Sequence, residues 1–284
     1  MDQIKVFIIN LKRSPERREE MIRQMNLYGL KYEFFDAVDG TLLPSEVIEK
    51  SRTRSNKWYK EDEGPSQSMK LGEIGVALSH YEIYQKIIKE NLELAIILED
   101  DINFDERFQE FLKNSADINA VMKQFDLLLL GYCTHDLKFN LPADCSYWGR
   151  KKIAKQFYVG FPIRWYWSAI GYVISKKGAE LLSEKQGNYP CVTADILTAN
   201  SPRYGVQLGV LNKPVIWPGH FNKYSTIQLY KDSNNATDKK DANTISKKGF
   251  YSGIKYSYMR FKNQLYIEKL KLDKKQYKFI SDRY

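Results

Sequence analysis

Short, continuous runs of apolar residues separate longer segments of mixed polarity along most of the chain. The apolar runs predict buried strands, which we place at residues 5–10, 32–35, 94–98, 126–130, 169–175 and 206–217. Helices are predicted between them, at residues 15–28, 73–88, 106–122 and 176–185. Residues 41–70 are polar and irregular, and we expect a loop there. Strands that alternate with helices in this order predict an α/β domain with a largely parallel sheet.

The C-terminal part of the chain differs from the rest in composition. Residues 231–248 are rich in Lys, Asp, Asn, Ser and Thr, which predicts a polar linker between a domain at residues 1–230 and a tail at residues 249–284. Residues 239–284 contain 13 Lys and Arg against four Asp and Glu, and their net charge of +9 equals that of the whole chain. Basic and aromatic residues interleave there, a pattern that suits anionic lipid or nucleic acid, with a solvated helical extension as the alternative.

The cysteines and the apolar runs indicate the kind of compartment. Cys133, Cys145 and Cys191 are scattered and odd in number, so they suit reduced thiols better than a disulfide framework. The sequence contains no Cys-x-x-Cys pair, so it does not predict a zinc site built on cysteine. The start of the chain shows no cleavable signal, and the longest apolar runs are far too short to cross a bilayer. We therefore expect a cytoplasmic protein.

The sharpest chemical signal is the run Glu99-Asp100-Asp101, which follows a predicted buried strand. Ligands of open α/β sheets bind beyond the carboxyl ends of the strands. Three successive acids at such a place repel one another unless a cation lies among them, and their oxygens suit Mg²⁺ or Mn²⁺. On an extended chain, Glu99 and Asp101 would point the same way and Asp100 the opposite way. An acidic surface turn is the alternative.

Seven short motifs follow one another between residues 4 and 200. They are IINLKRSPERR (8–18), DAVDG (36–40), LGEIGVALSH (71–80), LAIILEDD (94–101), LLLLG (127–131), GYVISKKGA (171–179) and TADIL (193–197). Each motif alone is weak, but together they resemble glycosyltransferase family 25, the lipopolysaccharide (lipooligosaccharide) biosynthesis glycosyltransferases. The resemblance implies a GT-A fold, in which one nucleotide-binding α/β domain carries an acidic metal motif of the Asp-x-Asp type.

The resemblance also implies roles for the acidic run. Asp101 is expected to bind the metal, Mn²⁺ or Mg²⁺. Glu99 occupies the first position of the motif and is expected to contact the ribose or to reach the metal, for which it is a second candidate ligand. Asp100 is expected to contact the nucleotide or the donor sugar. His220, in the segment WPGHFN, is a candidate further metal ligand, because many GT-A enzymes supply a late histidine.

Further contacts with the nucleotide-sugar are expected around the first strand and the third motif. The candidates are Asn10, Leu11, Arg13, Arg17, Asp39, Ser79 and His80. A guanidinium of Arg13, Arg17 or Arg18 suits a phosphate, although Arg17 and Arg18 are equally consistent with solvated positions on a helix. For His80, a satisfied histidine in the core is the alternative to a position near the donor.

Asp195 is the candidate general base. The family that the chain resembles is inverting, so the acceptor hydroxyl must lose a proton as it attacks the anomeric carbon. A structural helix cap is the alternative role for Asp195. The aromatic residues Trp165, Tyr166 and Trp167 precede it, and their faces suit either sugar rings or core packing.

Taken together, these signals predict an inverting transferase that moves a hexose from a UDP-sugar and forms a β-linkage, with galactose favoured over glucose. The expected acceptor is the lipid-linked oligosaccharide of bacterial lipopolysaccharide or lipooligosaccharide. Residues 239–284 would then hold the enzyme at the anionic inner face of the inner membrane. A nucleic-acid-binding protein is a second reading, but the balanced charge of residues 1–238 argues against a nucleic-acid partner. A donor-binding domain without activity is a third.

Overall fold

The computed structural model describes residues 4–61, 68–133, 142–146, 149–154 and 156–219. Its strands are β1 (Lys5–Asn10), β2 (Glu33–Asp36), β3 (Leu94–Glu99), β4 (Ile102–Phe104), β5 (Leu127–Leu129), β6 (Lys151–Ile153), β7 (Phe157–Gly160), β8 (Gly171–Ser175), β9 (Leu208–Leu211) and β10 (Ile216–Pro218). Its α-helices are α1 (Pro15–Leu27), α2 (Ser45–Glu61), α3 (Leu71–Lys89), α4 (Glu106–Lys113), α5 (Ser115–Met122), α6 (Lys176–Gln186) and α7 (Ala194–Ala199). The predicted linker and tail lie outside the described residues, so the domain boundaries stay predictions.

Eight strands form one sheet in the order β2-β1-β3-β8-β5-β9-β7-β6. β1 is parallel to both β2 and β3, and β5 is parallel to β9. β8 is antiparallel to β3 and β5, and β7 is antiparallel to β9 and β6. The predicted α/β class is confirmed: every strand of this sheet except β7 and β8 points the same way. β4 and β10 form a separate antiparallel ribbon.

Helices cover both faces of the sheet, which explains why its central strands are apolar at successive positions. On β1, Val6 and Ile8 join a core cluster with α1, α4 and α5, whereas Phe7 and Ile9 join a cluster with α3, α6 and α7. Successive side chains of a strand point to opposite faces. The continuous apolar runs of the sequence are therefore strands buried on both sides.

Residues 41–70 contain a helix, α2, so the expectation of a loop over this whole segment is wrong. The helical pattern of apolar residues in α2 is weak, so the sequence gives little sign of a helix. Contacts with neighbouring helices stabilise α2 in the folded protein. Val47 and Ile48 pack against the core cluster that contains Ile74 of α3. Arg54 donates a hydrogen bond from Nη1 to the carbonyl oxygen of Gln186, at the end of α6 (2.9 Å).

Two other predicted elements are divided in the structure. The helix expected at residues 106–122 is interrupted at Asn114, whose backbone leaves helical geometry and whose side-chain amide donates to the carbonyl oxygen of Glu110 (2.7 Å). The segment at residues 206–217, expected to be a strand with a proline turn, holds two strands, β9 and β10, on either side of Pro214, which cannot donate to a strand ladder.

The structure bears on the expectations about thiols and membrane spans for the residues that it describes. Cys133, Cys145 and Cys191 are all buried and free. No described helix combines the length and the apolarity that crossing a bilayer requires. The location of the protein in the cell stays a prediction.

The turn after β2 lies directly against the start of α3. A Cβ atom on Gly40 would lie 1.8 Å from the carbonyl oxygen of Leu71, and one on Gly75 would lie 2.6 Å from that of Val38. The Ser79 hydroxyl donates to the carbonyl oxygen of Gly75 (2.7 Å) and accepts from the Val38 amide (2.9 Å). Two glycines and a buried serine thus allow the two backbones to touch, which explains their presence in the second and third motifs.

Gly40→Ala should lower the free energy of unfolding by about 3 kcal/mol, because the added methyl group meets backbone that cannot move without shifting α3. Gly29→Ala is the matched control. Gly29 has a φ of +61° and open space around it, so its alanine variant should lose only about 1 kcal/mol from backbone strain. Urea unfolding of both variants measures the difference. A loss in Gly40→Ala no larger than that in Gly29→Ala would contradict the close approach.

Candidate active site

Asn10 and the acidic run lie side by side at the carboxyl edge of the sheet. β1 ends at Asn10 and β3 ends at Glu99, and Ile9 is level with Glu99 across this parallel pair. The chain continues into Asp100, whose Oδ2 accepts a hydrogen bond from Asn10 Nδ2 (2.7 Å). The sheet therefore brings the first and the fourth sequence motifs together at the edge where α/β proteins bind ligands.

Arg17 supplies positive charge to this edge from the first turn of α1. Its Nη1 donates to Asp100 Oδ1 (3.0 Å) and lies 3.5 Å from Asp101 Oδ2. Only 10% of the Arg17 side chain is exposed, so it is not a solvated helix residue. Arg18, the next residue, lies over the ring of Phe34, with its Cζ 3.8 Å from the ring centroid. Arg17 thus holds the acidic run in place, and its contact with a phosphate stays a prediction.

The chain turns immediately after Glu99, so the three acids do not alternate as they would on an extended strand. Asp100 and Asp101 both approach Arg17, whereas Glu99 is directed towards α3, with its Oε1 3.5 Å from His80 Nε2. Asp100 therefore lies on the same side as Asp101, against the expectation that it faces elsewhere, while Glu99 remains close enough to Asp101 to raise the pKa of that carboxyl. The turn separates one acid that faces α3 from two that face α1.

Negative charge at this edge exceeds the positive charge that compensates it. Burial, together with repulsion from Asp195 and Asp100, raises the pKa of Glu99 to about 8. Burial and the neighbouring Glu99 raise the pKa of Asp101 to about 7, although Arg17 acts in the opposite direction. Carboxyl groups that ionise only near neutral pH indicate a place that a further cation would stabilise.

The carboxylates of Glu99 and Asp101 fit a divalent cation that also binds phosphate. Mg²⁺ is usually held by one or two carboxylates together with substrate phosphates, and Mn²⁺ accepts the same oxygen ligands. Within the described ranges, no three His, Cys, Asp or Glu side chains are arranged to hold a metal ion on their own. Gly219 donates its amide to the carbonyl oxygen of Asp101 (2.6 Å). His220 lies outside the described residues, and its role as a ligand stays a prediction.

His80 is fully buried on α3, next to Glu99. Its Nδ1 lies 2.7 Å from the Tyr172 hydroxyl, which lies 2.7 Å from the Tyr84 hydroxyl. Its Nε2 faces Glu99 and has no hydrogen-bond partner in the part of the chain that the structure describes. Burial lowers the pKa of His80 to about 4, so the imidazole is neutral near pH 7. The hydroxyl of Ser79 is used by the two contacts within the fold, and its contact with a donor stays a prediction.

Asp195 reaches the same edge from α7. Its Oδ1 accepts a hydrogen bond from the Ala169 amide (2.6 Å), in the segment before β8. The cap of α7 is Thr193, whose hydroxyl accepts from the Ile196 amide (3.4 Å), so the alternative role of Asp195 as the cap is wrong. Asp195 is close enough to Glu99 to raise the pKa of that carboxyl. The candidate base and the acidic run therefore belong to one site.

Arg13 and Asp39 form an ion pair beyond the ends of β1 and β2. Arg13 Nε lies 2.6 Å from Asp39 Oδ2, and Asp39 Oδ1 accepts from the Thr41 amide (3.0 Å). Leu11, which follows Asn10 in the chain, is half-buried. The structure therefore brings these candidate contacts with the nucleotide-sugar to two adjacent strand ends.

The aromatic segment before β8 divides into core and surface. Tyr166 is buried against the ring of Tyr132 and packs in the core. Trp165 and Trp167 are half-buried and parallel, with ring centroids 6.0 Å apart and planes within 6°. Trp167 exchanges two backbone hydrogen bonds with Cys133, which holds the pair in place. Trp165 also packs against the core cluster that contains Val6 and Ile8, and Tyr166 has the core role. Stacking of the two tryptophans on sugar rings stays a prediction.

Comparison with known protein families shows to which family the chain belongs. Residues 3–198 match glycosyltransferase family 25 (LPS biosynthesis protein). The match covers more than half of the chain and includes Asn10, Arg17, the acidic run, His80 and Asp195. The chain belongs to glycosyltransferase family 25.

Curated relatives in family 25 are longer proteins. The chain is 34% identical over 193 residues to a glycosyltransferase 25 family member of Drosophila melanogaster, covering 64% of this chain and 28% of that protein. It is 29% identical over 188 residues to procollagen galactosyltransferase 2 of Homo sapiens, covering 62% and 27%. It is 32% identical over 127 residues to the inactive glycosyltransferase 25 family member 3 of Homo sapiens, covering 44% and 21%. The matched region thus spans little more than a quarter of the first two relatives.

Two residues of this family 25 site are not predicted from the sequence as functional. Tyr84 and Tyr172 lie in segments whose pattern predicts only core positions, and both side chains are fully buried. A usable signal was present, since Tyr84 follows His80 by four positions on the same helix and therefore lies on the same face. A buried tyrosine hydroxyl also needs a hydrogen-bond partner, and the nearby histidine is one.

Asp101→Asn should stabilise the ligand-free protein above about pH 7. The pKa of Asp101 is higher in the folded than in the unfolded chain, so its ionisation lowers stability as the pH rises from about 4 to about 7. Asparagine stays neutral, and the variant should gain at least about 1 kcal/mol at pH 8 while gaining little near pH 4. Urea unfolding in EDTA across this pH range measures the effect.

The matched control is Asp36→Asn, because the Asp36 side chain is 57% exposed and pairs with Lys12 at the surface. It should not reproduce the gain at pH 8. If Asp101→Asn unfolds with the same pH dependence as the unaltered chain, the repulsion assigned to Asp101 is absent.

Proposed function

We propose that this family 25 domain transfers a hexose from a UDP-sugar, with UDP-galactose favoured and UDP-glucose as the alternative. The observation that carries the proposal is the pair of buried carboxyl groups with raised pKa values, Glu99 and Asp101, beside Asn10 and the Asp100–Arg17 ion pair. A nucleoside diphosphate with a divalent cation suits such carboxylates at the carboxyl edge of an α/β sheet. The procollagen galactosyltransferases among the relatives support galactose as the sugar.

Asp101 and Glu99 would hold Mn²⁺ or Mg²⁺, with His220 as a candidate further ligand. When bound, such a cation stabilises the negative charge that develops on the departing UDP. Asn10 and Arg17 keep the neighbouring Asp100 in place through hydrogen bonds of 2.7 and 3.0 Å. Leu11 would contact the base with Asn10, Asp39 would accept from the uracil or ribose, and Arg13 is a candidate for a phosphate. Ser79 and His80 would lie near the donor.

Asp195 would act as the general base. Its carboxylate accepts the proton of the acceptor hydroxyl while that oxygen bonds to the anomeric carbon and the bond from that carbon to UDP breaks. Attack on the face opposite UDP inverts the configuration and forms a β-linkage. The Ala169 amide orients the carboxylate through Oδ1 and leaves Oδ2 for the incoming hydroxyl. A positioned base contributes about 10²–10⁴ in rate.

The acceptor is proposed to be a lipid-linked oligosaccharide of bacterial lipopolysaccharide or lipooligosaccharide, on the description of the matching family. The half-buried rings of Trp165 and Trp167 would stack on its sugars. The 13 basic residues of the segment 239–284 would hold the enzyme at the anionic inner face of the membrane. Procollagen, named in several relatives, is the acceptor class that this proposal sets aside.

Release of UDP from a panel of UDP-sugars, in Mn²⁺ and in EDTA, tests the donor and the site together. We expect metal-dependent release from UDP-galactose, reduced at least about 100-fold in Asp101→Ala because the remaining carboxylates hold the cation poorly. Asp195→Asn should bind UDP normally and lose about 10²-fold or more in transfer. Asp36→Ala, an exposed acid, should behave like the unaltered chain. Absence of both UDP release and calorimetric UDP binding in the unaltered chain would overturn the proposed function.

Deletion of residues 239–284 should abolish binding to vesicles of anionic phospholipid at low salt and leave UDP binding unchanged. Each cation near an anionic surface contributes about 1 kcal/mol, and the attraction weakens as salt is added. Vesicle sedimentation and UDP calorimetry on the same preparations measure both properties. Vesicle binding that survives the deletion would contradict the membrane role. Salt-sensitive binding to an oligonucleotide, but not to vesicles, would favour a nucleic-acid partner instead.

A further inference from the structure

Next to Glu99, three fully buried side chains form a continuous line of polar atoms to which the proposed transfer assigns no bond-making or proton-transfer step. The Tyr84 hydroxyl lies 2.7 Å from the Tyr172 hydroxyl, and the Tyr172 hydroxyl lies 2.7 Å from His80 Nδ1. On the other side of the imidazole, Nε2 lies 3.5 Å from Glu99 Oε1. Each of the three side chains is 0% exposed. The line therefore begins deep in the core and ends at the acidic run.

The count of protons decides in which direction these hydrogen bonds run. Tyr172 has one hydroxyl proton and two partners, so it donates to one and accepts from the other. If Tyr172 donated to Tyr84, the Tyr84 proton would have no acceptor among the described residues, which costs about 1–3 kcal/mol in the core. If Tyr84 donates to Tyr172 and Tyr172 donates to His80 Nδ1, both hydroxyl protons have an acceptor. His80 then carries its own proton on Nε2, which faces Glu99.

We propose that Tyr84 and Tyr172 fix His80 as the Nε2–H tautomer, and that His80 positions the Glu99 carboxyl through this N–H. The role of Glu99 rests on the proposed function, whereas the tautomer does not. His80 and Tyr172 also stack, with ring centroids 5.8 Å apart and planes within 16°, which restricts rotation of the imidazole. His80 is thus a positioning residue that acts through Glu99. Glu99 is the last residue of β3, where the donor is expected to bind.

The distance of 3.5 Å between Nε2 and Glu99 is longer than a hydrogen bond in the ligand-free chain. Catalytic hydrogen bonds are often long without substrate and shorten when it binds. The N–H can donate to Glu99 whether the carboxyl is ionised or neutral, since a carboxyl oxygen accepts in both cases. Nε2 is buried and makes no hydrogen bond among the described residues. Asp195 is a second carboxyl group close enough to act on His80: burial lowers the pKa of the imidazole, and Asp195 raises it.

The imidazole ¹⁵N spectrum of the full chain tests the tautomer directly. We expect a protonated Nε2 and an unprotonated Nδ1 for His80, whose signals are identified by their loss in His80→Gln. Tyr172→Phe should convert them to a mixture of tautomers or to the Nδ1–H form. Tyr132→Phe is the matched control, since it removes another buried hydroxyl of the same core cluster, which donates to the carbonyl oxygen of Leu211 (2.7 Å). It should leave the His80 signals unchanged.

Turnover tests the effect on Glu99. Tyr172→Phe and His80→Leu should lower kcat for UDP-sugar turnover about tenfold, the effect of losing one charge-assisted hydrogen bond, with KM changed less than about twofold. His80→Gln should recover most of kcat, because its amide nitrogen can take the place of Nε2. Tyr84→Phe combined with Tyr172→Phe should be no slower than Tyr172→Phe alone, since Tyr84 acts only through Tyr172.

The proposal is overturned if His80 is the Nδ1–H form in the unaltered chain, or if Tyr172→Phe changes the tautomer and kcat no more than Tyr132→Phe does. If Tyr172→Phe does not fold, the contrast between His80→Gln and His80→Leu decides, and equal kcat values in those two variants overturn it. An unaltered chain that shows the Nε2–H form but neither binds nor turns over a UDP-sugar would count against the proposed function and, with it, against the role of Glu99.

Discussion

Arg17 and Asp100 form a buried ion pair that joins the two elements around which the candidate site is built. Arg17 belongs to the first turn of α1 and Asp100 follows β3, while Asn10, at the end of β1, donates to the other carboxylate oxygen. A buried ion pair is stable only when its remaining polar atoms are also bonded, and Asn10 meets that need. Asp100 is thus bonded at both carboxylate oxygens, whereas Asp101 lies 3.5 Å from Arg17 and Glu99 faces His80, so three successive acids have different surroundings.

Burial and repulsion between their charges make the ionised forms of Glu99 and Asp101 unfavourable in the ligand-free fold, and the surrounding structure tolerates them. The strands that end at this edge are buried on both faces, so the local repulsion acts on a well-packed scaffold. In the proposed function, a nucleotide-sugar and its cation would remove that repulsion, and ligand binding would then stabilise the domain. Active sites that lower the stability of the ligand-free fold are common in proteins whose activity needs several like charges close together.

Helix α3 connects the site to the core through two of its faces. One face, with Gly75 and Ser79, touches the turn after β2. That turn contains Asp39 and is thereby held near the strand ends. The other face of α3, with His80 and Tyr84, lies against β8 and reaches Glu99. A single helix therefore orders both the residues expected at the nucleotide and the buried line of polar atoms next to the acidic run. This explains why one ten-residue motif contains glycine, serine and histidine at these positions.

By itself the sequence determined the α/β class, the central strands, the position of the acidic run and the family, because periodicity, strand order and short motifs are local properties. Tertiary structure alone decided that α2 is helical, since its contacts come from α3 and α6. It also decided which acid is hydrogen-bonded: Asp100 lies 83 positions from Arg17 and 90 from Asn10, so no local pattern records these contacts. The turn after Glu99 likewise overrides the alternation of an extended strand. Whether a carboxylate is paired, exposed or repelled depends on neighbours that only folding brings together.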